Sequence, residues 1–266
     1  MSKSIDLRDI DASYVYRGRS FHALRNVSLS VRPGEFVSVV GPSGCGKSTL
    51  LSLAEGLRSP DRGTVSIGGR PVDGPQPECS VVFQQYSLFP WMTVSGNIEF
   101  ALKQKRRVRG RSNRRREAAL HLAAVGLDSV GHRFPKELSG GQQQRAAIAR
   151  ALAENGEVLL MDEPFGAVDA RNRAQLQDLL LRLWEGPEGT PRDRRKTVLF
   201  VTHDLDEALY LSDRIVLMAG SPGRIAEEFA VRLPRPRSRR ELLRSNDYQL
   251  LRARISEALC EREERS

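Results

Sequence analysis

Residues 41–48 read Gly-Pro-Ser-Gly-Cys-Gly-Lys-Ser. A glycine-rich stretch of this form constrains the chain on both sides, because it works only as a turn between a strand and a helix. Both flanks are predicted. Glu35-Phe36-Val37-Ser38-Val39-Val40 is an apolar run of buried-strand type, and Thr49-Leu50-Leu51-Ser52-Leu53-Ala54 reads as a helix. A turn between them aims several backbone N–H groups and a helix N-terminus at one spot, which suits a polyphosphate. Gly41, Pro42, Ser43, Gly44, Cys45, Gly46, Lys47, Ser48 and Thr49 are therefore the expected phosphate-binding residues. Lys47 is expected to reach the β- and γ-phosphates, and Ser48 to ligate Mg²⁺ through its hydroxyl. Thr49 adds a second hydroxyl. Cys45 reads as a small filler through which an alkylating reagent could block the site.

Around this loop the pattern alternates. Residues 5–40 show β-type stretches and turns, residues 64–72 look like a hairpin, and Cys79 to Phe83 is a short apolar strand. From Val94 to Ala153 the pattern is helical, with Glu117–Val125 ended by Gly126. Strands return at Glu157–Met161, Thr197–Thr202 and Asp213–Met218, with an amphipathic helix over Arg173–Trp184 between the first two. Strands alternating with helices imply an α/β sheet with helices on both faces. The helical stretch reads as a subdomain inserted into it. Gly186 to Arg195 is a surface loop, and the last 35 or so residues are a Pro/Arg linker and a charged helix.

Composition excludes several classes. No apolar run approaches the ~20 residues of a membrane span, and the N-terminus has no apolar core of a secretory signal. Three cysteines without metal-ligand spacing, Cys45, Cys79 and Cys260, fit a reducing compartment. The net charge of +9 is concentrated, with nine Lys or Arg and no acid from Lys103 to Arg116, and five arginines over residues 232–240. Such runs can bind nucleic acid or anionic lipid, but neither is interleaved with stacking aromatics, so a solvated helix face and a solvated tail are expected instead.

Two further stretches carry chemistry. Val158-Leu159-Leu160-Met161 ends in Asp162 and Glu163, placing carboxylates at the C-terminal end of a parallel strand, where such sheets bind nucleotide. Asp162 is suited to hold Mg²⁺, and Glu163 to orient and polarise an attacking water. Upstream, Leu138-Ser139-Gly140-Gly141-Gln142-Gln143-Gln144-Arg145 opens an Ala-rich helix, giving a second helix N-terminus with a hydroxyl.

The order of these motifs resembles the ATP-binding cassette (ABC) ATPases, whose signature is Leu-Ser-Gly-Gly-Gln. The likeness spans residues 5–230. It implies an α/β P-loop NTPase (RecA-like) core with an N-terminal antiparallel β subdomain and an inserted α-helical signature subdomain. The expected segments are 1–86, the first part of the core; 87–155, the helical subdomain; 156–230, the second part of the core; and 231–266, a basic linker and helix. By the same resemblance, Gln84 matches the glutamine that touches Mg²⁺ and senses the membrane partner. His203 matches the histidine on the γ-phosphate, and Asp169 lies in the loop that meets a second copy. Tyr14, with Tyr16 as competitor, matches the aromatic that stacks on adenine. Val168 departs from the commoner Leu before that Asp.

The resemblance implies an ATPase that uses Mg²⁺, with Glu163, His203 and Lys47 as catalytic residues. It implies a head-to-tail dimer in which Ser139, Gly140, Gly141 and Gln142 of one chain cap ATP on the loop of the other. Phe89-Pro90-Trp91-Met92-Thr93-Val94, Pro164-Phe165-Gly166, Asp206-Glu207-Ala208-Leu209 and Ser221-Pro222-Gly223-Arg224-Ile225 resemble the importers of nitrate, taurine and aliphatic sulfonates. The partners implied are transmembrane permease subunits and, indirectly, a periplasmic or lipoprotein solute-binding protein. The place implied is the cytoplasmic face of the membrane, and nucleic acid is not an expected partner. The alternatives are an exporter's ATPase subunit and a soluble ABC ATPase acting on nucleic acid. The latter usually carries a long coiled coil or two fused cassettes, and neither is present here.

Overall fold

A computed structural model of the chain describes residues 2–104, 108–187 and 189–263. Residues up to Gln76 and from Pro191 onward form one compact unit, and Pro77–Thr190 forms another.

The first unit opens with β1 (Ile5–Tyr16) and β2 (Arg19–Val31), continues through β3 (Phe36–Val40), α1 (Lys47–Glu55) and β4 (Arg62–Ile67), and reaches β5 (Arg70–Pro71). Strands β2, β1, β4 and β5 form an antiparallel sheet in that order. Alternation along β1 buries Ile5 and Leu7, and after a register shift at Asp9, which has φ 52, it resumes with Ile10 and Ala12. The second unit contains β6 (Cys79–Val82), α2 (Val94–Gln104), α3 (Arg111–Ala124), α4 (Gly140–Glu154), β7 (Val158–Asp162) and α5 (Ala170–Glu185). The chain then returns to the first unit with β8 (Thr197–Thr202), α6 (Leu205–Leu211), β9 (Arg214–Ala219), β10 (Arg224–Ala230), α7 (Arg239–Leu242) and α8 (Asn246–Glu263).

In the first unit β3 lies between β8 and β9, parallel to both, and β10 closes antiparallel on β9. Strands β3 and β8 are buried at every position, which explains their mainly apolar make-up, and the buried Ser38 hydroxyl is paired with that of Ser212. Glu35, 5% exposed, is ion-paired in a fork with Arg214, through Nε at 3.0 Å and Nη2 at 3.0 Å, and pins the entry to β3 against β9. In the second unit β6 and β7 are parallel. Helices α2, α3 and α4 enclose a core of their own, built on Val94, Ile98, Leu102, Leu122, Ala146 and Ala149.

The helical expectation for residues 94–153 resolves into α2, α3 and α4. The basic stretch is partly helix: α3 starts at Arg111 after Gly110, six residues before the apolar spacing begins. Lys105, Arg106 and Arg107 lie outside the described residues. The solvated-tail expectation fails for Arg235, Arg237 and Arg239 of residues 232–240, and the Arg239 guanidinium lies 3.9 Å over the Tyr210 ring. Arg237 is 8% exposed, and Arg235 and Arg237 bond backbone carbonyls of α6. Strand β10, with the turn that feeds it, carried no strand expectation, since Arg-Ile-Ala-Glu-Glu-Phe-Ala is half charged and lies at an edge.

Candidate nucleotide-binding site

The site residues fall on both units. In the first, β3 delivers the chain at Val40 directly into the glycine-rich turn, and α1 begins at Lys47. Gly46 caps α1 with φ 91, and a Cβ there would meet Leu24 Cδ2 at 2.5 Å, so both backbone and space demand glycine. Lys47 is 6% exposed, and its Nζ donates to the carbonyls of Gly41 and Pro42, each at 2.8 Å. The ammonium thus lies across the mouth of its own loop. Ser48 is exposed in the first turn of α1 and Thr49 is buried. Thr49 Oγ1 is 3.2 Å from Tyr14 Oη, which brings Tyr14 to the same loop, and the Arg58 guanidinium lies 3.8 Å over the Tyr14 ring. The side chain of Tyr16 lies outside what is described.

Strand register places His203 at this end of the sheet. Val40 pairs with Thr202 in the parallel β3–β8 ladder, so Gly41 and His203 leave adjacent strands side by side. His203 is exposed there. Gly223 has no local sequence pattern that ties it to the loop, yet it packs there. A Cβ on Gly223 would fall 1.8 Å from the Cys45 carbonyl oxygen. Gly223 also exchanges backbone hydrogen bonds with β2, from its N–H to Ala23 and to its carbonyl from Arg25. The β9–β10 turn therefore braces the glycine-rich loop from outside.

Cys45 is 2% exposed, and burial pushes its thiol up more than the neighbouring Lys47 pulls it down. Iodoacetamide at about pH 8 is expected to label the exposed Cys260 at least ~10-fold faster than Cys45. Mass spectrometry of the two peptides checks it, and equal rates would contradict the burial of Cys45.

In the second unit, Val82 pairs with Met161, so Gln84, Asp162 at the end of β7 and Glu163 just beyond it emerge at one end of the β6–β7 pair. A Cβ built on Gly166 would lie 3.7 Å from Gln84 Nε2 and 3.8 Å from Glu163 Oε2, so these side chains converge on that glycine. Glu163 has φ 41, an uncommon left-handed backbone for a side chain of its size, and Gly166 N–H closes the turn on the Glu163 carbonyl at 3.1 Å. Asp162 is half-buried at the strand end.

The signature segment starts α4 with a capping box. Ser139 Oγ accepts from Gln142 N–H at 3.3 Å, and Gln142 Oε1 accepts from Ser139 N–H at 3.1 Å. Gly140 faces Tyr86 Oη, and Gly141 faces Asn172, with a built Cβ at 2.9 Å and 3.3 Å respectively. Asn172 donates to Asp169 from its backbone at 3.1 Å and its side chain at 2.6 Å. Those bonds hold the Asp169 carboxyl below the usual range. Signature and Asp169 loop are thus joined through Asn172, a link without a sequence signal, as is Tyr86. Asn97, fully buried, bonds both backbone groups of Phe89, at 2.7 and 3.2 Å, and fixes residues 89–93. Beside it, Phe83, Phe89, Phe100 and Arg150 line a mainly apolar cavity of about 400 Å³, and Trp91 stands 69% exposed.

Gln84 and Asp162 in the second unit carry amide and carboxylate oxygens, and Ser48 in the first carries a hydroxyl; these are donor types that suit a hard cation such as Mg²⁺. Among the described residues no three or more His, Cys, Asp or Glu cluster together to form a metal site.

A glycine-rich turn between a buried parallel strand and a helix, with the lysine at the helix start, defines a P-loop nucleotide-binding cassette. The pattern of the ABC transporter family matches residues 24–166. A Brucella abortus (strain 2308) protein named for ATP binding is 49% identical over 248 residues, 92% of this chain and 90% of its own. The nitrate import ATP-binding protein NrtD of Synechococcus elongatus is 45% identical over 241 residues, 90% of this chain and 85% of that one. A dimeric ATP-binding cassette, MJ0796, solved with ADP and Pi, superposes with a TM-score of 0.74 at 33% identity, over 86% of this chain and all of that one. The chain belongs to the ABC transporter ATP-binding family, and is an ABC-type ATPase.

Proposed function

We propose that this ATPase is the motor subunit of an importer, probing no solute itself and driving a separate permease of the nitrate, taurine or sulfonate type. The observation that carries the importer reading is the 45% identity to the nitrate import subunit over most of both chains. The bicarbonate transport subunit CmpC of Synechococcus elongatus, 42% identical over 257 residues, also supports uptake of a small anion. This chain spans 38% of that longer protein. Among the described residues no helix is long and apolar enough to cross a membrane.

In this reading Lys47 and the loop N–H groups hold the phosphates of ATP, and Tyr14 stacks on adenine. Mg²⁺, when held by Ser48, Gln84 and Asp162, supplies charge neutralisation at the phosphates. Glu163 accepts a hydrogen bond from the attacking water and draws its proton. His203 donates to the γ-phosphate and keeps the water in register. Ser139, Gly140, Gly141 and Gln142 of a second copy cover the nucleotide and exclude bulk water, and Asp169 lies at that contact. The dimeric state of the MJ0796 cassette supports this arrangement. Gln84 and the aromatic surface at Phe89–Val94 meet the permease. The working place is then the cytoplasmic face of a membrane, beside permease subunits that take solute from a binding protein.

Turnover per chain is expected to rise with protein concentration, because each site needs two copies. Ser139→Arg is expected to lower turnover more than about tenfold while one chain still binds Mg-ATP. Turnover independent of concentration, and unmoved by Ser139→Arg, would sink the shared site. Uptake of nitrate or taurine into vesicles carrying the permease and this chain tests the importer reading, and ATP-dependent extrusion would replace it with an exporter.

A further inference from the structure

His203 stands between the last residue of β8 and Asp204, which caps α6. Three bonds lock this junction. Asp204 N–H donates to Thr202 Oγ1 at 3.0 Å, Thr202 Oγ1 donates to Glu207 Oε2 at 2.7 Å, and Glu207 N–H donates to Asp204 Oδ1 at 3.1 Å. The histidine backbone therefore follows α6. A helix of seven residues has little stability alone, so its position depends on what grips it.

The grip comes from residues 235–252. On α8, Tyr248 Oη donates to Asp206 Oδ1 at 2.8 Å, and Arg252 donates to the same carboxylate from Nε at 2.7 Å and Nη2 at 3.3 Å. Arg252 holds the Asp206 carboxyl below the usual range, so the pair stays charged to a lower pH than an ordinary aspartate would allow. At the other end of α6, Arg237 Nη1 donates to the carbonyls of Leu209 at 3.1 Å and Tyr210 at 2.8 Å, and Arg235 Nη2 donates to that of Leu211 at 2.7 Å. These are helix-end carbonyls that the helix itself leaves unbonded, and cations suit that end of its dipole. Tyr248 is 5% exposed and Arg237 8%, so the contacts are packed as well as charged.

We propose that residues 235–252 form a clamp on α6, with Arg235, Arg237, Tyr248 and Arg252 as positioning residues that set His203 for turnover. The proposal rests on the reading of His203 as the γ-phosphate contact. The clamp is built from the arginine-rich segment whose charge otherwise reads as solubility alone.

The test compares two arginines of one helix. Arg252 ties α8 to α6, whereas Arg254, two residues on, ties it to Glu227 of β10 at 3.2 Å. Both side chains are well exposed, so either alanine variant keeps the core intact. Arg252→Ala is expected to lower kcat about fivefold with Mg-ATP affinity unchanged, and to speed amide exchange over residues 207–211, an effect in the range that packed networks transmit. Arg252→Lys recovers part of the loss, and Arg254→Ala leaves kcat at the parent value. An equal fall in Arg254→Ala would show general loosening and overturn the clamp, as would unchanged exchange over α6 in Arg252→Ala. Loosened exchange with parental kcat overturns the link to turnover. His203→Ala in the same assay separates the two readings: parental turnover there removes the histidine's role, while the exchange data still judge the clamp.

Discussion

Glu163→Gln is expected to keep Mg-ATP binding and to lower steady-state turnover by about 10²–10⁴-fold, the range a positioned general base contributes. The substitution preserves shape and one acceptor oxygen, but an amide draws no proton from water. Glu163 follows the last residue of β7 and carries its side chain toward Gln84 from a left-handed backbone. That conformation costs roughly 1–2 kcal/mol in any residue with a Cβ, so it is equally strained in parent and variant and stability should move little. Because chemistry stops after binding, the variant is expected to accumulate as an ATP-bound dimer. Size-exclusion chromatography with and without Mg-ATP, together with phosphate release, measures both effects. Turnover at the parental rate would remove Glu163 from the reaction and leave Asp162, its neighbour on the same strand end, as the carboxylate to examine.

The parts of this site that were legible in the sequence are those where local chemistry leaves one solution. The glycine-rich loop could only join a strand to a helix, and β3 and α1 lie where its flanks required. Within Thr197–Thr202 the residues Val198–Val201 are continuously apolar because both faces of the strand are covered, and its end sets His203 on the edge beside Gly41. Ser139 and Gln142 read as a helix start and form a capping box. What stayed hidden depends on distant pairing. Gly223 matters because Cys45, nearly two hundred positions earlier, packs on it, and no local pattern encodes that approach. Asn97 is a helical residue by position and a scaffold for Phe89 by contact. Arg235 and Arg237 sit in a Pro/Arg run that resembles any solvated tail until α6 supplies carbonyls for them. Charge counts describe how much arginine a segment carries, whereas its partners are a property of the fold.

Lys47→Ala is expected to weaken Mg-ATP binding itself by about 10–100-fold, which separates it from Glu163→Gln. The lower figure follows from losing one charge-assisted contact to phosphate at about 1.5 kcal/mol, with roughly 1.4 kcal/mol per tenfold. The upper figure follows from the loop. Lys47 Nζ bonds the carbonyls of Gly41 and Pro42 at 2.8 Å each, so the ammonium also fixes the turn whose N–H groups meet the ligand. Alanine removes both the charge and that brace. Lys47→Arg distinguishes them, because it keeps the charge but carries a planar fork too large for a point contact inside the loop. If charge dominates, arginine restores most of the affinity. If the brace dominates, arginine binds about as weakly as alanine. Equilibrium titration with a fluorescent ATP analogue reads all three chains, and parental affinity in Lys47→Ala would refute the phosphate role of the loop.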